Sequence, residues 1–155
     1  MAAVILDRTD RRLLALLQQN NRRRLRDLAE EIGISAPTCL RRMRRLEASG
    51  VVRAHAARLD PSRVGFGVTA HVEISLAGAS GAEMTAFERR MQRLPEVVQC
   101  CELAGDIDYL VTVVARDMPA FGEFTRTHFA DDRRIRSYRS LLVLRDVKPD
   151  QALPV

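Results

Sequence analysis

The chain has no tryptophan, three cysteines and a single lysine, and aromatic residues make up only 5% of its 155 positions. Three thiols, two of them adjacent as Cys100-Cys101, do not form an even disulfide framework and suit a reducing compartment. No Cys/His cluster has the spacing of a zinc site, so neither a metal nor another cofactor is expected. No apolar run comes near the roughly 18 residues that a membrane span requires. The apolar stretch in MAAVILDRTDRR lacks the length and the preceding charge of a signal peptide. The expected location is therefore the cytoplasm, with no membrane partner. No P-loop, dinucleotide fingerprint or nucleophile–base pair stands out. His55, His71 and His128 are the only imidazoles, each placed singly, and read as surface or structural groups.

Arginine is what the chain has in abundance. Of 25 basic residues only Lys148 is lysine, a bias that reads first as genome composition, although arginine also suits phosphate forks. Residues 1–65 hold 14 Arg against 7 Asp/Glu, whereas residues 66–155 hold 11 Arg/Lys against 13 Asp/Glu. Positive charge is thus segregated into the first part of the chain, as expected if that part meets a polyanion. With 46% hydrophobic and 29% charged residues, the length suffices for one domain or two small ones.

The apolar period changes along the chain. Up to Gly50 it is helical. Leu13, Leu14 and Leu17 form one stripe, and Leu25, Leu28, Ala29 and Ile32 a second. Ala36, Leu40, Met43 and the stem of Glu47 form a third, flanked by Cys39 and Leu46. Asn20-Asn21 supplies a turn through positive φ, Gly33 ends the second helix, and Ser35 caps the third with Pro37 in its first turn. These are the proportions of a helix-turn-helix. Residues 51–66 read as a wing or linker, closing on the turn signal Asp60-Pro61-Ser62. From residue 67 onward strand and helix patterns alternate as βαββαβ, the ferredoxin-like arrangement. The expected strands are Val68 to Leu76, Val97 to Leu103, Tyr109 to Val114 and about Arg136 to Val147. The expected helices are Met84 to Leu94 and Met118 to Phe129. The fold class is α+β, with domains at 1–50 and 67–155.

SAPTCLRRMRRL (35–46) carries four arginines on one short helix. With Met43 at the centre of the core-facing side and a step of about 100° per residue, Arg41 and Arg45 point outward beside Thr38. Arg42 and Arg44 then take the flanks. As the second helix of a helix-turn-helix this element lies in the DNA major groove. Thr38 and Arg41 are the expected base readers, with Pro37 against a thymine methyl. Arg42, Arg44 and Arg45 are expected on phosphates, the N–H groups at Ser35 on another, and Arg22 with its neighbours Arg23 and Arg24 forms a basic shelf.

These stretches together resemble the Lrp/AsnC (feast/famine) family of transcription regulators. The resemblance rests on LDRTDRRLLALLQ (6–18), DLAEEIGISAPTCLRRMRRLEASGVV (27–52), LDPSRVGF (59–66), ELAGDIDYLVTV (102–113) and LRDVK (144–148). It implies an N-terminal winged helix-turn-helix, a ferredoxin-like ligand-sensing domain, a homodimer that assembles further into an octamer, double-stranded DNA as partner, and an amino acid or related small effector. Carried over by position, the effector turn falls on Gly105, Asp106, Ile107, Asp108 and Tyr109. Residues modulating the response fall on Glu102, Met118 and Leu141 to Val143. In chemical terms, a glycine turn offers N–H groups to a carboxylate, and Asp108 accepts an α-ammonium. Turn formation alone also accounts for Asp106 and Asp108, and Tyr109 reads more readily as core or interface.

Two departures stand out. Asn21-Arg22-Arg23-Arg24 replaces the usual Gly-Arg-apolar-Ser/Thr run, leaving the second helix without its customary cap. Glu102 stands where an apolar or small polar residue is usual, and a buried carboxylate there disfavours a hydrophobic effector and points to a polar or basic one. The competing readings are a sirohaem decarboxylase-like enzyme on the same fold and a non-specific architectural DNA binder. The charge segregation and the intact GDIDY turn favour a regulator without catalytic residues.

Overall fold

The structure, a computed structural model, describes residues 4–78, 80–148 and 152–155. Its contacts divide the chain into two units, Met1–Ala57 with Val147–Val155, and Arg58–Asp146. The division falls inside the segment read as wing or linker, and the last residues group with the first unit. Gln18 makes that attachment, its side chain bonding both the carbonyl and the N–H of Leu153 at 3.1 and 2.7 Å.

The first unit is three helices: α1 (Arg8–Gln19), α2 (Leu25–Ile32) and α3 (Ala36–Ala48). Asp7 caps α1 in a reciprocal box with Asp10, satisfying N–H groups that have no partner within the helix. Gly33, at φ 80°, ends α2, where a side chain would be strained. Ser35 caps α3 through the Thr38 N–H. α2 has Arg24 at its cap position and no side-chain cap bond, as its sequence implies. Leu13, Leu14, Leu17, Leu28, Ile32 and Leu46 close the core, and burying each such side chain contributes roughly 1.5–3 kcal/mol. One local expectation is corrected. Among the described residues positive φ occurs only at glycine, so the turn after α1 is not left-handed; the Asn20 side chain makes it by accepting the Arg22 N–H at 2.9 Å. Residues 51–60 form no strand, which agrees with the extended-linker reading of this segment.

The second unit opens with a single 3₁₀ turn at Pro61–Val64. It continues as β1 (Val68–Leu76), α4 (Gly81–Met91), β2 (Val97–Glu102), β3 (Tyr109–Ala115), α5 (Met118–Thr125) and β4 (Ile135–Leu142). All neighbours are antiparallel in the order β2-β3-β1-β4, which leaves β2 and β4 as edges. Strand alternation puts Val72 and Ile74 of β1 and Val111 and Val113 of β3 in one core with Phe87 and Met91 of α4 and Phe121 and Phe124 of α5. After α5 a wider π-turn, Arg126–Ala130, buries Phe129 in the same core. β4 stops at Leu142, short of the expected Val147, and its side chains are mostly exposed.

Candidate functional site

On α3 the buried side chains are Cys39 and Leu46, whose directions differ by about 20°, while Met43 is only partly buried. Taking those two as the inner face rotates the helix from the expected setting. Pro37, Arg41, Arg44 and Ala48, all exposed, then lie within about 30° of the outward direction. Arg42, Thr38 and Arg45 share one flank. This corrects the placement of two arginines: Arg44 belongs to the outward face and Arg45 does not.

Acidic side chains explain the flank. Arg42 Nη1 lies 2.8 Å from Asp10 Oδ1 and 2.5 Å from Asp7 Oδ2, and Arg45 Nη2 bonds the other oxygen of Asp10. Asp10 is fully buried at the start of α1. Its backbone N–H and the Arg42 guanidinium hold the Asp7 carboxyl below the usual range, and the two carboxylates keep Arg42 firmly charged. Among the described residues no carboxylate pairs with Arg41 or Arg44. Thr38 accepts from the Ser35 hydroxyl at 2.9 Å and keeps its own proton to donate. Arg22 is exposed, whereas Arg23 is paired with Glu31. Asp7 and Asp10 escaped the sequence reading, although Asp-x-x-Asp ahead of an apolar stripe is a helix-start signature.

In the second unit the expected effector residues fall in three places. Asp106 and Ile107 line a cleft of about 380 Å³ with Ser75, Arg136 and Tyr138. Glu102 and Tyr109 line another, of about 390 Å³, between α4 and the edge of β2, with Glu88 and Cys100. Met118 and Val143 sit at the opposite end of β3, and Leu141 lies level with its middle, since Leu141 pairs with His71 and His71 with Thr112. Val143 donates to Thr69 O, Thr69 pairs with Val114, and Met118 follows β3, whose seven residues span about 20 Å.

Several individual roles are sharpened. Asp108 is tied into the sheet: its carboxylate accepts the Leu76 N–H at 2.7 Å, its N–H donates to Ile74 O, and its carbonyl accepts from Leu103. Tyr109 is 1% exposed, packs 4.7 Å from the Phe87 ring and donates to Glu88 at 3.1 Å. Burial, with Glu88 beside it, raises its hydroxyl pKa. Glu102 is exposed at the rim of its cleft. The N–H groups of Gly105, Asp106 and Ile107 have no acceptor among the described residues, and successive free N–H groups suit an anion. Arg136, which lines the same cleft as Asp106, was missed because a lone arginine in a strand pattern carries no signal. The histidines are scattered: His55 meets Glu47, His71 meets Thr112 and His128 stacks on Phe124.

Comparison with known proteins accords with both units. Residues 6–53 match the model of a winged helix-turn-helix DNA-binding domain, and residues 69–153 that of the Lrp/AsnC ligand binding domain. The leucine-responsive regulatory protein of Rhizobium meliloti is 35% identical over 94% of this chain and 93% of its own. The DNA-binding transcriptional activator DecR of Escherichia coli is 33% identical over 97% and 99%. Among solved structures, a transcriptional regulator from Neisseria meningitidis in complex with L-Met superposes with a TM-score of 0.91 at 34% identity, covering 97% of each chain. The chain belongs to the Lrp/AsnC family of transcriptional regulators.

Proposed function

We propose that this protein binds double-stranded DNA sequence-specifically through α3, and that an amino acid or related small effector held by the second unit modulates that binding or the assembly that supports it. The observation that carries the reading is the outward stripe of Pro37, Arg41 and Arg44 on a helix whose opposite side is locked by Cys39 and Leu46. A helix fixed in this way presents cations at a defined direction, which base reading requires. Arg41 and Thr38 read bases; Arg44 and Arg22, with the Ser35 end of α3, bind phosphates. The protein works in the cytoplasm, where the DNA is, and performs no catalysis.

For the effector, the Asp106–Arg136 cleft has the complementary charges of a zwitterion. The free N–H groups of the Gly105 turn and the Arg136 guanidinium suit a carboxylate, and Asp106 suits an ammonium. Met118, 50% exposed, and Val143 lie at the other end of β3, too far along the sheet to complete this cleft within one protomer. A homodimer brings them there from a second copy, and the exposed apolar side chains Tyr138, Leu141 and Leu142 on the edge strand favour such pairing. Dimers assemble further into an octamer. A thermal-shift screen of the standard amino acids tests the reading. A stabilising hit whose effect is lost in Arg136→Gln supports it, and a protein insensitive to all of them contradicts it.

A further inference from the structure

We propose that Asp10 is a positioning residue for DNA recognition. From the start of α1 it aims two arginines of the recognition helix and, with Asp7, neutralises them, so that of that helix's arginines only Arg41 and Arg44 confront the duplex uncompensated. The Asp10 carboxylate is fully buried and accepts three bonds: from the Asp7 N–H at 3.1 Å, from Arg42 at 2.8 Å, and from Arg45. Asp7 adds a second carboxylate to Arg42, so that two anions face two cations across the α1–α3 contact. Arg42 Nε is buried without an acceptor among the described residues, so these ion pairs, and not a complete set of hydrogen bonds, hold the guanidinium there.

The consequence is a division of labour among four arginines that the sequence alone cannot distinguish. An arginine already paired with a buried carboxylate releases few counterions on meeting a phosphate, whereas a free one contributes about 0.9 to the slope of log K against log salt. The clamp also fixes the rotation of α3 about its own axis, since Arg42 and Arg45 leave the same flank one turn apart. Asp10 therefore sets which side chains point outward without touching DNA.

The inference rests on α3 being the DNA-facing helix, and the test separates the two. The parent, Arg44→Gln, Arg42→Gln, Arg45→Gln and Asp10→Asn proteins are titrated by fluorescence anisotropy across a range of salt concentrations. The probes are a random-sequence duplex and a duplex selected from a random pool by the parent. Arg44→Gln should reduce the salt slope by about 0.9, and Arg42→Gln and Arg45→Gln by less than half as much. Asp10→Asn should steepen the slope by about 0.9, as Arg45 loses its carboxylate and Arg42 keeps Asp7, while narrowing the preference for the selected duplex. Simple loss of helix packing would weaken binding without steepening that slope. The clamp is overturned if Arg42→Gln or Arg45→Gln matches Arg44→Gln, or if Asp10→Asn keeps the parent's slope and preference. Should Asp10→Asn fail to fold, the two glutamine variants at 42 and 45 decide. An Arg44→Gln protein with the parent's slope overturns the α3 reading, and the clamp with it.

Discussion

The Asp108 carboxylate accepts the backbone N–H of Leu76 at 2.7 Å, stapling the turn before β3 to the end of β1. Asp108 thus has one oxygen committed to structure before any effector arrives. Asp108→Ala leaves a strand N–H without its acceptor and should cost about 1–3 kcal/mol in urea unfolding. A variant with the parent's stability that had lost only its effector response would show Asp108 to be a free ligand instead.

Arg41 and Arg44 share the outward face of α3 but sit a turn apart, Arg41 nearer the end that enters the groove. Arg41→Ala should relax discrimination at one base pair by about 1–3 kcal/mol. Arg44→Ala should weaken selected and random duplexes by the same factor. Parallel binding curves on both duplexes distinguish these outcomes, and identical behaviour of the two variants contradicts the division.

Asp132 holds the segment between α5 and β4 through Arg90 and Arg134. Burial raises its pKa, but the Arg134 hydrogen bonds and the charges of Arg90 and Arg134 outweigh that and bring it down to about 2 from 3.8. A depressed carboxylate stabilises the fold above its unfolded pKa and loses that contribution as pH falls through the folded value. The stabilisation, on the order of 2 kcal/mol, should therefore disappear between about pH 4 and pH 2. Asp132→Asn should be less stable than the parent at pH 7 and should approach it in that acid range. A constant gap between the two across the range would show the ion pairs to be idle.

Burial, followed by Cys101 and Glu88, pushes the Cys100 thiol up to about 11. Cys100 pairs with Val111 and Cys101 with Leu110, so the two sulfurs point to opposite faces of the sheet. Cys100 should stay protonated at neutral pH, alkylate more slowly than a free thiol, and form no bond with Cys101 under diamide. Mass spectrometry after iodoacetamide and diamide treatment checks both points, and rapid modification of Cys100 would contradict them.

Much of this was legible in the residues. The shift of apolar period near Gly50, the caps at Ser35 and Gly33 and the alternation in β1 encode the element order, because each depends on local geometry alone. The rotation of α3 was not legible. Met43 and Leu46 are equally apolar, and only the packing of α1 shows that Cys39 and Leu46 face the core. Asp10 was missed for the same reason: its partners lie more than thirty positions away, at Arg42 and Arg45. The effector residues were named as one set because they come from one resemblance, while the sheet separates them by the length of β3.

On this reading α3 recognises a DNA sequence under the control of a small effector. This is tested most directly by the affinity for a selected and a random duplex, measured across salt concentrations with and without the amino acid that most raises the melting temperature. The expected result is a preference for the selected duplex, a steep fall with salt on both, and a change in the first with effector. Equal affinity for both duplexes at every salt concentration, with or without effector, would contradict it.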